Sequence, residues 1–377
     1  MTPRFISFDI DGFLPGSDDA LSRAYNRFLM RSIAIVLSLT LPLLAQQRPV
    51  NTYSIVAHDP TTGQIGVAVQ SHWFAVGQIV PWAEAGVGAV ATQSFVDPSY
   101  GKLGLDLLRA GKDSKSTLTA LLSADAACQV RQVAVIDARG TVATFTGSRD
   151  IEAAGGIAGE SDGSGQIDCG DGGGALSTGR GFAVQANLMA NDTVWPAMAR
   201  AFRESSGDLA TRMLAALDAA QAAGGDIRGK QSAALVVVHA KPTGRSWQDR
   251  LFDLRVDDHA EPLEELRRLV SVQRAYNHMN AGDLAVEHKD NEAALREYSA
   301  AAKIAESTPG IPPSRHAEML YWHAVALVNM DRLNEALPLF ARSFAIQPSW
   351  RDLTPRLAKA GLLPSDTKII DRITSAE

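Results

Sequence analysis

The residues of this chain best placed to do chemistry begin at Thr52. It opens the run TYSIVA, and HDPTTGQ then turns the chain back into a second apolar run, IGVAVQS. That is the pattern of a β-hairpin whose first residue carries a hydroxyl. A threonine hydroxyl is a weak nucleophile until a base takes its proton. Should Thr52 become the first residue of the chain, its own α-amino group, with a reference pKa of about 8, can act as that base. No histidine is then required, and the candidates close in sequence are His58 and His72. A threonine heading a strand also has a plain structural explanation, because β-branched residues favour strands.

A second set of polar residues falls at the ends of other apolar runs. Gln70 and Ser71 close the second run, Gln93 and Ser94 close a third, and Asn187 follows GFAVQA. The segment GGDIRGKQSAAL brings Asp226, Arg228, Gln231 and Ser232 to the mouth of a later run. Amides, an Asp and an Arg gathered at one sheet edge would bind a substrate carboxylate, and an amide such as Asn187 would help hold an oxyanion. Read singly, each is a turn or cap residue. Asp257, Asp258 and His259 adjoin one another, so their side chains diverge and make a poor metal site.

The elements that must position these groups occupy the middle of the chain. The 377 residues suffice for two cores, or for one large domain with an appendage. A net charge of -6 argues against a nucleic-acid binder or a protein dedicated to anionic membranes. Cys128 and Cys169 are the only cysteines, enough for one disulfide or two free thiols. Arg31 followed by the apolar run Ile33–Leu44 and the small Ala45 reads as a secretory signal over 30–45, too short to span a membrane. Met30 then marks the start, which leaves 1–29 as a non-native extension. The expected location is periplasmic or secreted, in a bacterium, with no integral span after signal removal.

Apolar runs bounded by Gly, Pro and Asp predict strands at Tyr53–Ala57, Ile65–Gln70, Val87–Thr92, Gln132–Ile136, Val142–Phe145, Gly181–Ala186 and Ser232–Val238. Amphipathic stretches predict helices at Gly101–Ala110, Ser116–Ser123, Val194–Ser205 and Asp208–Ala223. Helices paired in this way predict an α+β fold, with layers covering two stacked sheets. The glycine-dense stretch 154–181 reads as a surface loop rather than a phosphate cradle, since no GxxxxGK[ST] is present.

From Pro262 the pattern turns helical. Gly282, Ala294, Tyr298 and Ala301 match Ala324, Ala336, Phe340 and Ser343 at a constant offset of 42 residues. Small residues around an aromatic let two helices approach closely, so 270–350 resembles a pair of tetratricopeptide repeats, with 351–377 a helical tail. Two such units are fewer than the three usually needed, so they must pack on the preceding domain or on a second chain, which makes a homo-oligomer one expected outcome.

Several long motifs carry a further resemblance. TYSIVAHDPTTGQIGVAVQS, FAVGQIVPWAEAGVGAVATQ, YGKLGLDLLRAG, GFAVQANLMA, and GGDIRGKQSAAL followed by DLRVDDHAEPLEELRRL together resemble the Ntn-hydrolase-like group known as domain of unknown function family 1028. The resemblance runs from Thr52 to about Leu269. It implies a four-layer αββα sandwich for 52–260. Members of that family begin at or just after a methionine preceding the Thr-aromatic-Ser-Ile-Val-Ala run. Here QQRPVN separates the signal from Thr52, so the threonine amine is released only by a further cut at Asn51–Thr52.

These readings predict an exported amidohydrolase with Thr52 as conditional nucleophile, acting without metal or organic cofactor on an amide of a small molecule or peptide. The rival expectation is a non-catalytic envelope protein that engages protein partners through its helical repeats.

Overall fold

The computed structural model describes Val50, residues 52–169 and residues 172–377. The expected extension 1–29 and signal 30–45 lie outside the described residues, as does Asn51. Thr52–His58 (β1) and Ile65–Ser71 (β2) form the predicted hairpin, Thr52 opposite Ser71 and His58 opposite Ile65. Around them run Pro81–Glu84 (β3), Gly88–Ser94 (β4), Arg131–Asp137 (β5), Thr141–Gly147 (β6), Gly155–Asp168 (β7), Gly173–Ala186 (β8), Ser232–Val238 (β9) and Arg250–Val256 (β10). All pair antiparallel, in the order β10-β9-β2-β1-β8-β6-β5-β4-β3, with β7 on β8.

The sheet is curled, and β8 is where its halves meet. Residues 182–186 pair with β1, whereas 174–180 pair with β6. The corner between these segments is Gly181, whose φ of +88° is costly for a residue with a Cβ. Side chains alternate across a strand, and the three apolar clusters follow that alternation. Val56, Val67, Val69 and Val236 from one half meet Ala89, Ala91, Ala134 and Ile136 from the other, forming an inner layer. Ile55, Ala68, Val184 and Leu235 face outward against Val194–Glu204 (α3) and Leu209–Ala222 (α4). Val90, Val133, Val135 and Phe145 face outward against Ser99–Arg109 (α1) and Ser114–Ser123 (α2). Helix pair, sheet half, sheet half, helix pair: the layering is αββα.

The expected loop at 154–181 is corrected by the structure, since most of it is the β7/β8 hairpin. Glycine weakens a strand on propensity alone. Here backbones approach so closely that side chains would not fit: a Cβ on Gly179 would lie 2.4 Å from the Glu160 carbonyl oxygen. A disulfide joins Cys169 at the hairpin's end to Cys128, beside β5. Closing a loop over a sequence separation of 41 restricts the unfolded chain, a term worth about 4 kcal/mol in the entropy model. Replacing both cysteines by alanine is expected to lower unfolding free energy by roughly 2–4 kcal/mol in urea titration, and reductant to reproduce the shift. Identical curves with and without reductant would show that the bridge adds nothing.

Helices Pro262–Glu287 (α5), Asn291–Ser307 (α6), Pro313–Asn329 (α7), Leu333–Ile346 (α8), Ser349–Lys359 (α9) and Thr367–Thr374 (α10) follow. The long α5 belongs to both parts. Leu263, Leu266 and Val270 pack into the outer layer under α4, whereas Ala275, Met279 and Ala285 join the helical core. Arg274 on α5 pairs with Asp208, the residue capping α4. The helical hairpins close over small residues: Gly282 lies directly under the Tyr298 ring, and Ala324, Ala336, Phe340 and Ser343 are fully buried. No helix among the described residues is long and apolar enough to cross a membrane.

Candidate functional site

Because the strands are antiparallel, the start of β1, β5, β7 and β9 and the finish of β2, β4, β6 and β8 share one end of the sandwich. At that end the inner layer turns from aliphatic to polar. Thr52, Ser71 and Ser232 stand opposite one another across β1, β2 and β9, on the face that carries Val56, Val69 and Val236 further along. The Thr52 hydroxyl lies 3.0 Å from the carbonyl oxygen of Val50 and 3.1 Å from Ser71 Oγ. Thr52 is fully buried.

A chain of buried amides supports the backbone of Thr52. Gln93 Nε2 donates to the Thr52 carbonyl at 3.0 Å and to Gln132 Oε1 at 2.6 Å. Asn187 donates from its backbone N–H to the same Thr52 carbonyl at 3.1 Å and from Nδ2 to Gln132 Oε1 at 2.9 Å. Ser54 Oγ donates to Gln93 Oε1 at 2.7 Å and accepts from Gln185 Nε2 at 3.2 Å. Unpaired amides in such a layer would each cost about 1–3 kcal/mol, so their mutual pairing fixes one arrangement. Asn187 Oδ1 is left buried without a hydrogen-bond partner.

Thr52, Ser71, Gln93 and Asn187 are thus brought together, with Ser232 in the same row. Ser232 serves the backbone instead, since its Oγ donates to the Trp73 carbonyl and accepts from Val76 N–H, closing the turn after β2. Gln70, one residue from Ser71, faces the opposite side of the sheet, where its amide is buried and unpaired. Asp226 is paired to Arg228 and accepts from His72 N–H at 3.1 Å, clamping two loops. Gln231 reaches outward to Asp258 at 3.1 Å. Gln70 thus points away from the Thr52 hydroxyl, while the Gln231 N–H donates to the Ser71 carbonyl at 3.1 Å. Sequence inspection overlooked Gln132 as the hub and Asp150 as the buried acid.

Asp150 lies beside this network. Its Oδ1 accepts from Ser94 Oγ at 2.6 Å, while Oδ2 is shut off from solvent with no partner. Burial of the carboxyl pushes its pKa up to about 7, against the pull of the Ser94 hydroxyl, the Gly147 amide and the Arg131 charge. Ser94 also exchanges two backbone hydrogen bonds with Val50, Val50 N–H to Ser94 O at 2.6 Å and Ser94 N–H to Val50 O at 3.0 Å.

The chemistry open to this arrangement is set by what the threonine hydroxyl touches. Among the described residues its two partners are a carbonyl and an alcohol, neither of them a strong base. His58 ends β1 at the opposite end of the strand, roughly 20 Å away at the usual rise per residue. A groove of about 570 Å³ lined by Trp82, Arg109 and Arg255 lies elsewhere and includes none of these hydroxyls. Among the described residues no cluster of His, Cys, Asp and Glu is disposed to hold a metal.

The fold and site define an αββα sandwich with a buried strand-end threonine. Residues 52–164 and 163–266 match a family of unknown function, DUF1028, and the chain belongs to it. A crystal structure of a member from Silicibacter pomeroyi is similar, with 30% identity over 58% of this chain and 84% of that one, at a TM-score of 0.46. No curated protein matches the chain.

Proposed function

We propose that this protein is an amidohydrolase of the N-terminal-nucleophile type, with Thr52 as its nucleophile. The carrying observation is the Thr52 hydroxyl: it heads β1, points into the layer between the sheet halves, and rests 3.0 Å from a carbonyl of its own upstream chain. In this state the partners of the hydroxyl among the described residues are the Val50 carbonyl and Ser71 Oγ. Cutting Asn51–Thr52 supplies the missing α-amine at the one residue that carries the hydroxyl, and frees the hydroxyl from Val50. Asn187, already bonded to the Thr52 carbonyl through its backbone N–H and with one Nδ2 hydrogen beyond that given to Gln132, is the nearby group for steadying an oxyanion. Export through the 30–45 segment accords with the Cys128–Cys169 bridge, since disulfides persist in oxidising compartments.

The test is the mass and N-terminal sequence of protein recovered from the periplasm or medium. A chain beginning at Thr52 is expected. Mature chains that all begin at Gln46 would end this reading. In that case the blocked, fully buried threonine favours a binding protein, with the helical hairpins of α5–α8 serving as tetratricopeptide-like docking units for protein partners.

A further inference from the structure

Val50 sits directly against both Ser94 and the Thr52 hydroxyl. Two residues ahead of the nucleophile, it pairs with Ser94 through both backbone hydrogen bonds, as an added strand residue does. Its side chain is fully buried and belongs to the inner apolar cluster with Val76 and Val80. Its carbonyl takes the Thr52 hydroxyl. If the upstream chain leaves, Ser94 is left with an unpaired N–H and C=O facing an apolar hollow.

We infer that this hollow is the subsite for the acyl half of the substrate, and that the substrate is an extended peptide or peptidyl amide with an apolar side chain in the place of Val50. The inference rests on the N-terminal-nucleophile reading. Self-cleavage and turnover share one constraint: the attacked carbonyl carbon must meet Thr52 Oγ from the same side. The residue one before it therefore lies against Ser94, where Val50 lies now. In turnover an ester forms between Thr52 Oγ and the carbonyl carbon, the amide C–N bond breaks, and the departing amine takes the hydroxyl proton. Water then splits the ester, releasing the acid and restoring the hydroxyl. The apolar lining around Val50, Val76 and Val80 among it, disfavours an acidic side chain there.

The experiment uses processed protein, with Thr52 verified by mass as its first residue. The probes are aminomethylcoumarin amides of acetyl-Val-Asn, acetyl-Ala-Asn, acetyl-Asp-Asn and acetyl-N-methyl-Val-Asn. Relative to the valine probe, kcat/KM is expected to fall about tenfold for alanine and about a hundredfold for aspartate. N-methylation, which deletes the N–H that meets Ser94 O, is expected to cost at least about tenfold. Equal rates across the four, or no hydrolysis of any, would overturn the subsite. Neither result touches the nucleophile assignment, which is read separately from whether the full chain loses self-cleavage as Thr52→Ala. A full chain that never yields a Thr52 terminus overturns both.

Discussion

Thr52→Ala is expected to abolish both the cut at Asn51–Thr52 and hydrolysis of amides, by about 10⁴-fold or more, as loss of a covalent nucleophile does elsewhere. That factor corresponds to about 5.4 kcal/mol of transition-state stabilisation. The fold should survive the change. The hydroxyl has one proton to donate, shared between Val50 O and Ser71 Oγ, so its removal costs about 0.5–1.5 kcal/mol of stability, while the backbone bonds of Thr52 to Gln93 and Asn187 remain. Thr52→Ser keeps the hydroxyl and should retain cleavage at a reduced rate, which separates chemistry from packing. Matched circular dichroism and melting curves, with cleavage followed by intact mass, make the comparison. Normal processing and amide hydrolysis by the alanine variant would remove Thr52 from the mechanism.

The hairpin around Thr52 was legible because its pattern is local. Alternation, the DPTTG turn and β-branched residues agree within twenty residues, and the outer helices announce themselves by their 3.6-residue period. Gly181–Ala186, the half of β8 that pairs with β1, was legible as a strand, whereas β7 and the first half of β8 were not. Their composition is that of a loop, and what holds β8 in the sheet is pairing to β1 and β6, strands that lie well upstream along the chain. Strand β3 begins with a proline and β10 alternates charged with apolar residues, so both reach strand only as edges of a sheet already built. At the site, Thr52, Ser71, Gln93 and Asn187 could be suspected from their places at strand ends. Gln70 illustrates the limit of that reasoning: a displacement of one residue along a strand turns a side chain to the other face. The role of Gln132 depends on bonds to Gln93 and Asn187, 39 and 55 residues distant, and no local signal carries such a pairing.

Asp150→Asn is expected to remove the pH dependence that this carboxyl imposes on folding. Burial raises its folded pKa to about 7, above the unfolded reference of about 3.9. A group shifted upward stabilises the native state while protonated. Its contribution is therefore complete below about pH 4 and is lost as pH rises through about 7. Three units amount to roughly 4 kcal/mol, an order-of-magnitude figure. The native protein should thus lose stability between pH 4 and pH 8 from this residue, because the buried carboxylate has only the Ser94 hydroxyl, the Gly147 amide and the Arg131 charge to offset its desolvation. Asparagine can still accept from Ser94 but places an NH₂ where Oδ2 has no partner, a penalty of about 1–3 kcal/mol that does not vary with pH. The variant should therefore be the less stable protein at pH 4 and the more stable one at pH 8, and the two urea-unfolding free energies should cross in between. Parallel curves would mean that the carboxylate is solvated in the native state, and that Ser94, the strand partner of Val50, stands in water instead of at the wall of a dry site.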